Sequence, residues 1–143
     1  MNKKILIVAA NYYPKVTSNL ILAAKRNILL KSKSKITLIK VPGIFEIPMV
    51  ISKNINRFNG FIALGCVIKG ETPHFDFISQ STMNGLISLS IKYKKPIGNG
   101  IITCLNMKQS FDRSMLGGKK IFKNKGFESA NAVLELLSDK ISK

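Results

Sequence analysis

Acidic side chains are scarce here: seven Asp and Glu stand against 23 Lys and Arg in 143 residues, a formal net charge of +16. Histidine is scarcer still, with His74 alone, and there are just two cysteines, Cys66 and Cys104. With one imidazole and two isolated thiols, the ligand sets of a structural metal site are missing, and none is expected. The same cysteines lack the spacing of a disulfide framework and suit a reducing, cytoplasmic compartment. Long apolar runs are absent too. FIAL and IPMVI fall far short of the roughly 20 residues that span a bilayer, so a soluble protein is expected. KILIVAA, near the start, reads as a strand and not as the apolar core of a signal peptide.

The surplus of positive charge would draw a polyanion through long-range electrostatics. However, the Lys and Arg residues run from Lys3 to Lys143 without a long basic block, in a chain also rich in Ile and Asn. That pattern reads as a compositional bias, and a nucleic-acid partner is not expected.

The length fits one domain, residues 1–143, built around a single core of ordinary size. KILIVAA (4–10) has the continuous apolar character of a strand buried on both faces. From Val16, the residues Leu20, Ile21, Ala24, Ile28 and Leu29 recur at helical spacing. A strand at 35–40 follows, then a Pro42-Gly43 turn and a helix near 46–56, with Pro48 tolerable in a first turn. GFIALGCV (60–67) predicts a third strand, the stretch from Pro73 to about Tyr93 a long helix, and PIGNGIITC (96–104) a fourth strand. A short helix in NMKQSFDRSM, an interruption at Gly117 and Gly118, and a closing helix from Asn124 to Ile141 complete the chain. Strand and helix alternating in this way imply parallel pairing with helices on both faces. The expected fold is therefore α/β, a flavodoxin-like three-layer sandwich with a four-stranded parallel sheet. Ligands of such folds gather outside the carboxyl ends of the strands, here the loops after residues 10, 40, 67 and 104.

Chemistry-bearing residues collect on those loops. In CVIKGETPHFD, Thr72 can cap a helix and Pro73 can open it, which places His74 and Asp76 in a first turn beside free N–H donors that favour an anion. Lys69 and Gly70 precede them with a charge and a pliable backbone, and imidazole moves protons readily near neutrality. His74 simply packing at a helix start is the plainer reading. In VPGIFEIP, Phe45 offers a ring and Glu46 an acceptor, or the acid merely favours the helix dipole. Tyr12 and Tyr13 of NYYP are platforms for a planar ring, or packing residues. Arg113 can hold a phosphate bidentately, or stand as a solvated charge. Cys66 has no second histidine to activate it, so a thiol nucleophile is not expected.

VPGIFEIP, GCVIKGETPHFD, PIGNGIIT and NKGFESANAVLEL, in this order and spacing, resemble the lumazine synthase (6,7-dimethyl-8-ribityllumazine synthase) family over nearly the whole chain. The resemblance implies a cofactor-free condensation of 5-amino-6-(D-ribitylamino)uracil with 3,4-dihydroxy-2-butanone 4-phosphate. Tyr12 would then stack on the pyrimidine, while Ile44, Phe45 and Glu46 line the ring and ribityl pocket, Glu46 accepting from ribityl hydroxyls. Cys66, Val67 and Ile68 would meet the heterocycle through their backbone, and Glu71 and Thr72 would hold the phosphate with Arg113. His74 would donate the proton, oriented by Asp76. The family forms homopentamers, sometimes assembled into hollow shells, with sites between subunits. Asn99 and Arg113 would reach in from a neighbour, and a functional link to riboflavin synthase follows. The chain departs from the pattern at Asn99, where phenylalanine is common, and at Asn11-Tyr12-Tyr13. The stretch from Ser114 to Lys123 aligns poorly, which leaves Lys119, Lys123 and Lys125 as candidates for a phosphate-side lysine. A flavin- or lumazine-binding or shell protein without catalysis is the alternative.

Overall fold

Four strands, β1 (Lys4–Ala10), β2 (Lys35–Val41), β3 (Gly60–Ile68) and β4 (Ile97–Cys104), form one all-parallel sheet in the order β2-β1-β3-β4 in the computed structural model, which describes residues 3–138. Parallel neighbours need a crossover, and helices supply it: α1 (Pro14–Lys31), α2 (Ile47–Lys53) and α3 (His74–Tyr93) join successive strands. After β4 come α4 (Met107–Asp112), a 3-10 turn at Gly118–Lys123 and α5 (Lys125–Leu137). No helix among the described residues is long and apolar enough to cross a membrane.

Strand side chains alternate between faces, and both faces are covered. Ile5, Ile7, Ile62, Leu64, Cys66 and Cys104 point to one core with Leu20, Ala24 and Ile28 of α1 and Ala130 and Val133 of α5. Leu6, Val8, Phe61, Ala63 and Ile101 point to the other, against Ile47 and Ile51 of α2 and Leu86 of α3. This double burial is why β1 and β3 read as unbroken apolar runs. α1 and α5 approach closely: a Cβ on Gly126 would overlap the Leu20 carbonyl oxygen, so only glycine fits there. Asn124 starts α5 by accepting from the N–H groups of Gly126 and Phe127.

Three local expectations are corrected. The helix expected near 46–56 is split into a 3-10 turn at Ile44–Glu46 and a seven-residue α2, because Pro48 has no N–H to extend the ladder backwards. Thr72 does not cap α3. Pro73 occupies the flanking position, and Thr72 Oγ1 only accepts a long 3.4 Å bond from the His74 N–H. Gly118, at φ +53°, opens a further 3-10 turn where an interruption alone was expected. α5 is described to Leu137, and Ile141 lies outside the described residues.

Candidate active site

A cleft of about 270 Å³ opens at the carboxyl ends of β1 and β3. Its first wall is the corner between β1 and α1. Thr17 Oγ1 donates to the Ala10 carbonyl at 2.7 Å and the Asn11 N–H donates to Val41 at 2.9 Å, so the start of α1 is tied to two strand ends. Between those ties stand Tyr12, 71% exposed, and the half-buried Tyr13, their rings edge to face at 4.9 Å. Burial, then the neighbouring Tyr12 and the two thiols, pushes the Tyr13 phenol above its ordinary pKa.

The floor is the end of β3, with Cys66, Val67 and Ile68, and Ile44 closes it from the 3-10 turn. Cys66 is buried, with its sulfur 4.0 Å from that of Cys104. Burial above all, and then Cys104, pushes the Cys66 thiol up to about 12, so it stays protonated at neutral pH and is a poor nucleophile. The third wall is the loop from Gly70 and the first turns of α3, with Thr72, His74, Phe75 and Ile78. His74 is exposed at the helix start, where backbone N–H groups and the dipole favour negative charge. Asp76 lies in the same turn but makes no hydrogen bond to the imidazole.

One chain thus brings together Tyr12, Ile44, Cys66, Val67, Ile68, Thr72 and His74 around the cleft. Phe45 and Glu46 follow Ile44 but do not line it. Phe45 is exposed, and Glu46 Oε1 accepts the Gly43 N–H at 2.9 Å, pinning its own turn. Glu71 is exposed between Gly70 and Thr72. Asn99 faces a different groove of about 250 Å³, between β4 and α3, where its side-chain amide reaches Met83 Sδ at 3.1 Å. Arg113 ends α4, its guanidinium donating to the Gln109 carbonyl at 3.2 Å, away from the cleft. Phe75 and Ile78 were missed from sequence. Their spacing with His74, one and four positions on, puts them on one side of α3 and was the signal available.

The cleft therefore offers an aromatic platform, an apolar floor with strand-end backbone, and an imidazole at a helix start. A family model described as 6,7-dimethyl-8-ribityllumazine synthase matches residues 2–140. The chain belongs to that family. Among its relatives, the 6,7-dimethyl-8-ribityllumazine synthase of Campylobacter concisus is 37% identical over 141 residues, covering 96% of this chain and 88% of that one. The Paenarthrobacter aurescens protein of that name is 37% identical over 131 residues, covering 92% and 80%. That of Sulfurimonas denitrificans is 36% identical over 139 residues, covering 94% and 88%. The matched range, residues 2–140, spans the strands and loops that build the cleft, and the flavodoxin-like sandwich is that of the lumazine synthase family.

Proposed function

We propose that this chain is a lumazine synthase that condenses 5-amino-6-(D-ribitylamino)uracil with 3,4-dihydroxy-2-butanone 4-phosphate. The primary amine attacks the ketone and loses one water to form an imine, phosphate is eliminated, and ring closure with loss of a second water gives 6,7-dimethyl-8-ribityllumazine. No electrons enter or leave, so no redox cofactor is required. The observation that carries the reading is the convergence of Tyr12, the Cys66–Ile68 strand end and His74 on one cleft in a chain of this family.

Tyr12 stacks on the pyrimidine, and the backbone of Cys66, Val67 and Ile68 meets its polar edge over the apolar wall of Ile44. Phe45 and Glu46 serve the ribityl chain, with Glu46 exchanging its Gly43 bond for the hydroxyls. Thr72 and Glu71 lie beside the α3 start that receives the phosphate. His74 gives and takes the protons of imine formation and phosphate departure, and Asp76 orients it once substrate is bound. Holding two reactants in register can lower the barrier by roughly 7 kcal/mol, so one proton carrier is enough.

The phosphate needs a cation that the cleft of one chain lacks among its lining residues. A homopentamer supplies it if Arg113 and Asn99 of one subunit enter the cleft of the next, with one lysine of Lys119, Lys123 and Lys125 nearby. Exposed Phe77, Ile87 and Ile91 on α3 support such an interface. The enzyme works in the cytoplasm and hands its product to riboflavin synthase. Mixing both substrates with the protein and following lumazine absorbance and fluorescence tests the reading. A rate equal to the spontaneous one would end it.

A further inference from the structure

A few of the cations that are scattered in sequence meet in space. α1, α2 and α3 each run back from the carboxyl end of the sheet, so their last turns and the strand starts meet at the opposite, amino-terminal edge. There Lys4 and Lys35 sit side by side in the β1–β2 ladder, an adjacency of like charges that costs stability. With Arg57 they line a cleft of about 390 Å³, together with Thr37, Asn56 and the half-buried Phe58. Lys33, Lys53 and Lys94, all exposed, follow or end α1, α2 and α3 at the same edge of the sheet.

Negative charge does not offset them. The ion pairs among the described residues, Lys108–Asp112 and Lys125–Glu128, lie on α4 and at the start of α5, beyond the other end of the sheet. Glu135, near the end of α5, is the acid at this edge among the described residues, and it faces Lys31 across a separate groove. Helix dipoles account for a cation in a last turn, as at Lys53. They do not account for Lys4 or Lys35 at strand starts, nor for Arg57 in a loop.

We propose that this edge is a binding face for the phosphate backbone of nucleic acid, recognised by charge and not by sequence, with Lys4, Lys35 and Arg57 as its centre. Lys4 and Lys35 stand on neighbouring strands about 4.8 Å apart, and Arg57 lines the same cleft, so three cations converge on one short stretch of a phosphate backbone. Thr37 and Asn56 add hydrogen-bonding groups, and Phe58, edge to face with Phe61 at 6.1 Å, gives the cleft an apolar side. The face is remote from the cleft of Tyr12 and His74, so occupancy of one leaves the other open.

The test measures binding of a labelled RNA of about 20 nucleotides across a salt series. The triple variant Lys4→Gln, Lys35→Gln, Arg57→Gln is set beside a control of equal charge change at the other end, Lys15→Gln, Lys108→Gln, Lys120→Gln. Each lost contact with a single strand lowers the log–log salt slope by about 0.7, so the first variant should lose about 2 and the control nothing. Circular dichroism and melting verify that both fold. If the triple does not, Lys35→Gln and Arg57→Gln alone should each lose about 0.7. Equal losses in variant and control, no RNA binding at moderate salt, or binding of inorganic triphosphate without RNA would each overturn the proposal.

Discussion

Helices α5 and α3 cover opposite faces of the same sheet and do so differently. α5, with 13 residues, buries Gly126, Phe127, Ser129, Ala130 and Val133. Its backbone rests on α1, and Asn27 of α1 donates to the Phe127 carbonyl and to Asn131, both at 2.8 Å. α3 is longer, 20 residues, yet buries only Thr82 and Leu86 and leaves Phe77, Ile87 and Ile91 more than half exposed. The α5 helix is held by the chain itself through α1, although Leu29 and Leu30 at the far end of α1 stay exposed. The α3 side, which carries His74 and borders Asn99, leaves apolar surface exposed, and this surface is what the proposed subunit interface would cover. Stability and function should accordingly be separable: substitutions on the first side should unfold the protein, and those on the second should disable it while it stays folded.

The largest effect is expected at the glycines of the two helices. Gly126→Ala drives a Cβ into the Leu20 carbonyl, a backbone atom that cannot swing aside, and should cost about 3 kcal/mol or more in urea unfolding. Gly85→Ala on α3 meets only Pro48 carbons at 3.3 Å and gains up to about 1 kcal/mol of helix propensity, so its stability should change by less than about 1 kcal/mol. Similar losses in both would break the comparison. Next, His74→Ala should slow turnover by about 100-fold, near 2.7 kcal/mol of barrier, with the melting temperature unmoved. Arg113→Ala should raise KM for the phosphate substrate about tenfold with kcat little changed, the pattern of lost ground-state binding. Unaltered kinetics in both variants would remove the proposed site.

Sequence reading succeeded where burial is two-sided and local. β1 and β3 are apolar at successive positions because both faces are covered, and Asn124 caps α5 through its own short side chain. It failed where geometry depends on the next element. Thr72-Pro73 has the composition of a capped helix start, but the chain enters α3 one residue later than that composition suggests. Phe75 and Ile78 face the cleft only because α3 crosses the end of β3 at the angle it does. The spatial grouping of charge was not legible either: a list of dispersed lysines carries no trace of the crossovers that bring Lys4, Lys35 and Arg57 to one cleft.

A smaller effect belongs to the sealed side. The Cys66 thiol, held to about 12 by burial, keeps its proton in the folded chain, while an unfolded cysteine releases it near pH 9. Between those values the unfolded state binds fewer protons, so stability should fall as pH rises, by up to about 1.4 kcal/mol per unit from this thiol. Cys66→Ala should flatten that slope in pH-dependent unfolding, and an unchanged slope would show that burial of the thiol is not its cause.

The smallest expected change in stability is also the sharpest test of the contrast. Ile87→Asn with Ile91→Asn removes two exposed side chains from α3, 57% and 69% exposed, that hold nothing within the chain's own core. Exposed substitutions of this kind stay within about 0.5 kcal/mol, so the unfolding of a dilute single chain should hardly move. If the α3 face is where subunits meet, the same pair desolvates polar amides in an apolar contact and should shift the solution mass from oligomer to monomer. Turnover should fall with it, because Arg113 of a neighbour can no longer reach the phosphate, and adding more protein should restore both together. A variant that keeps its oligomeric mass would move the interface elsewhere, and a variant that becomes monomeric yet retains full turnover would mean that one chain completes the site unaided.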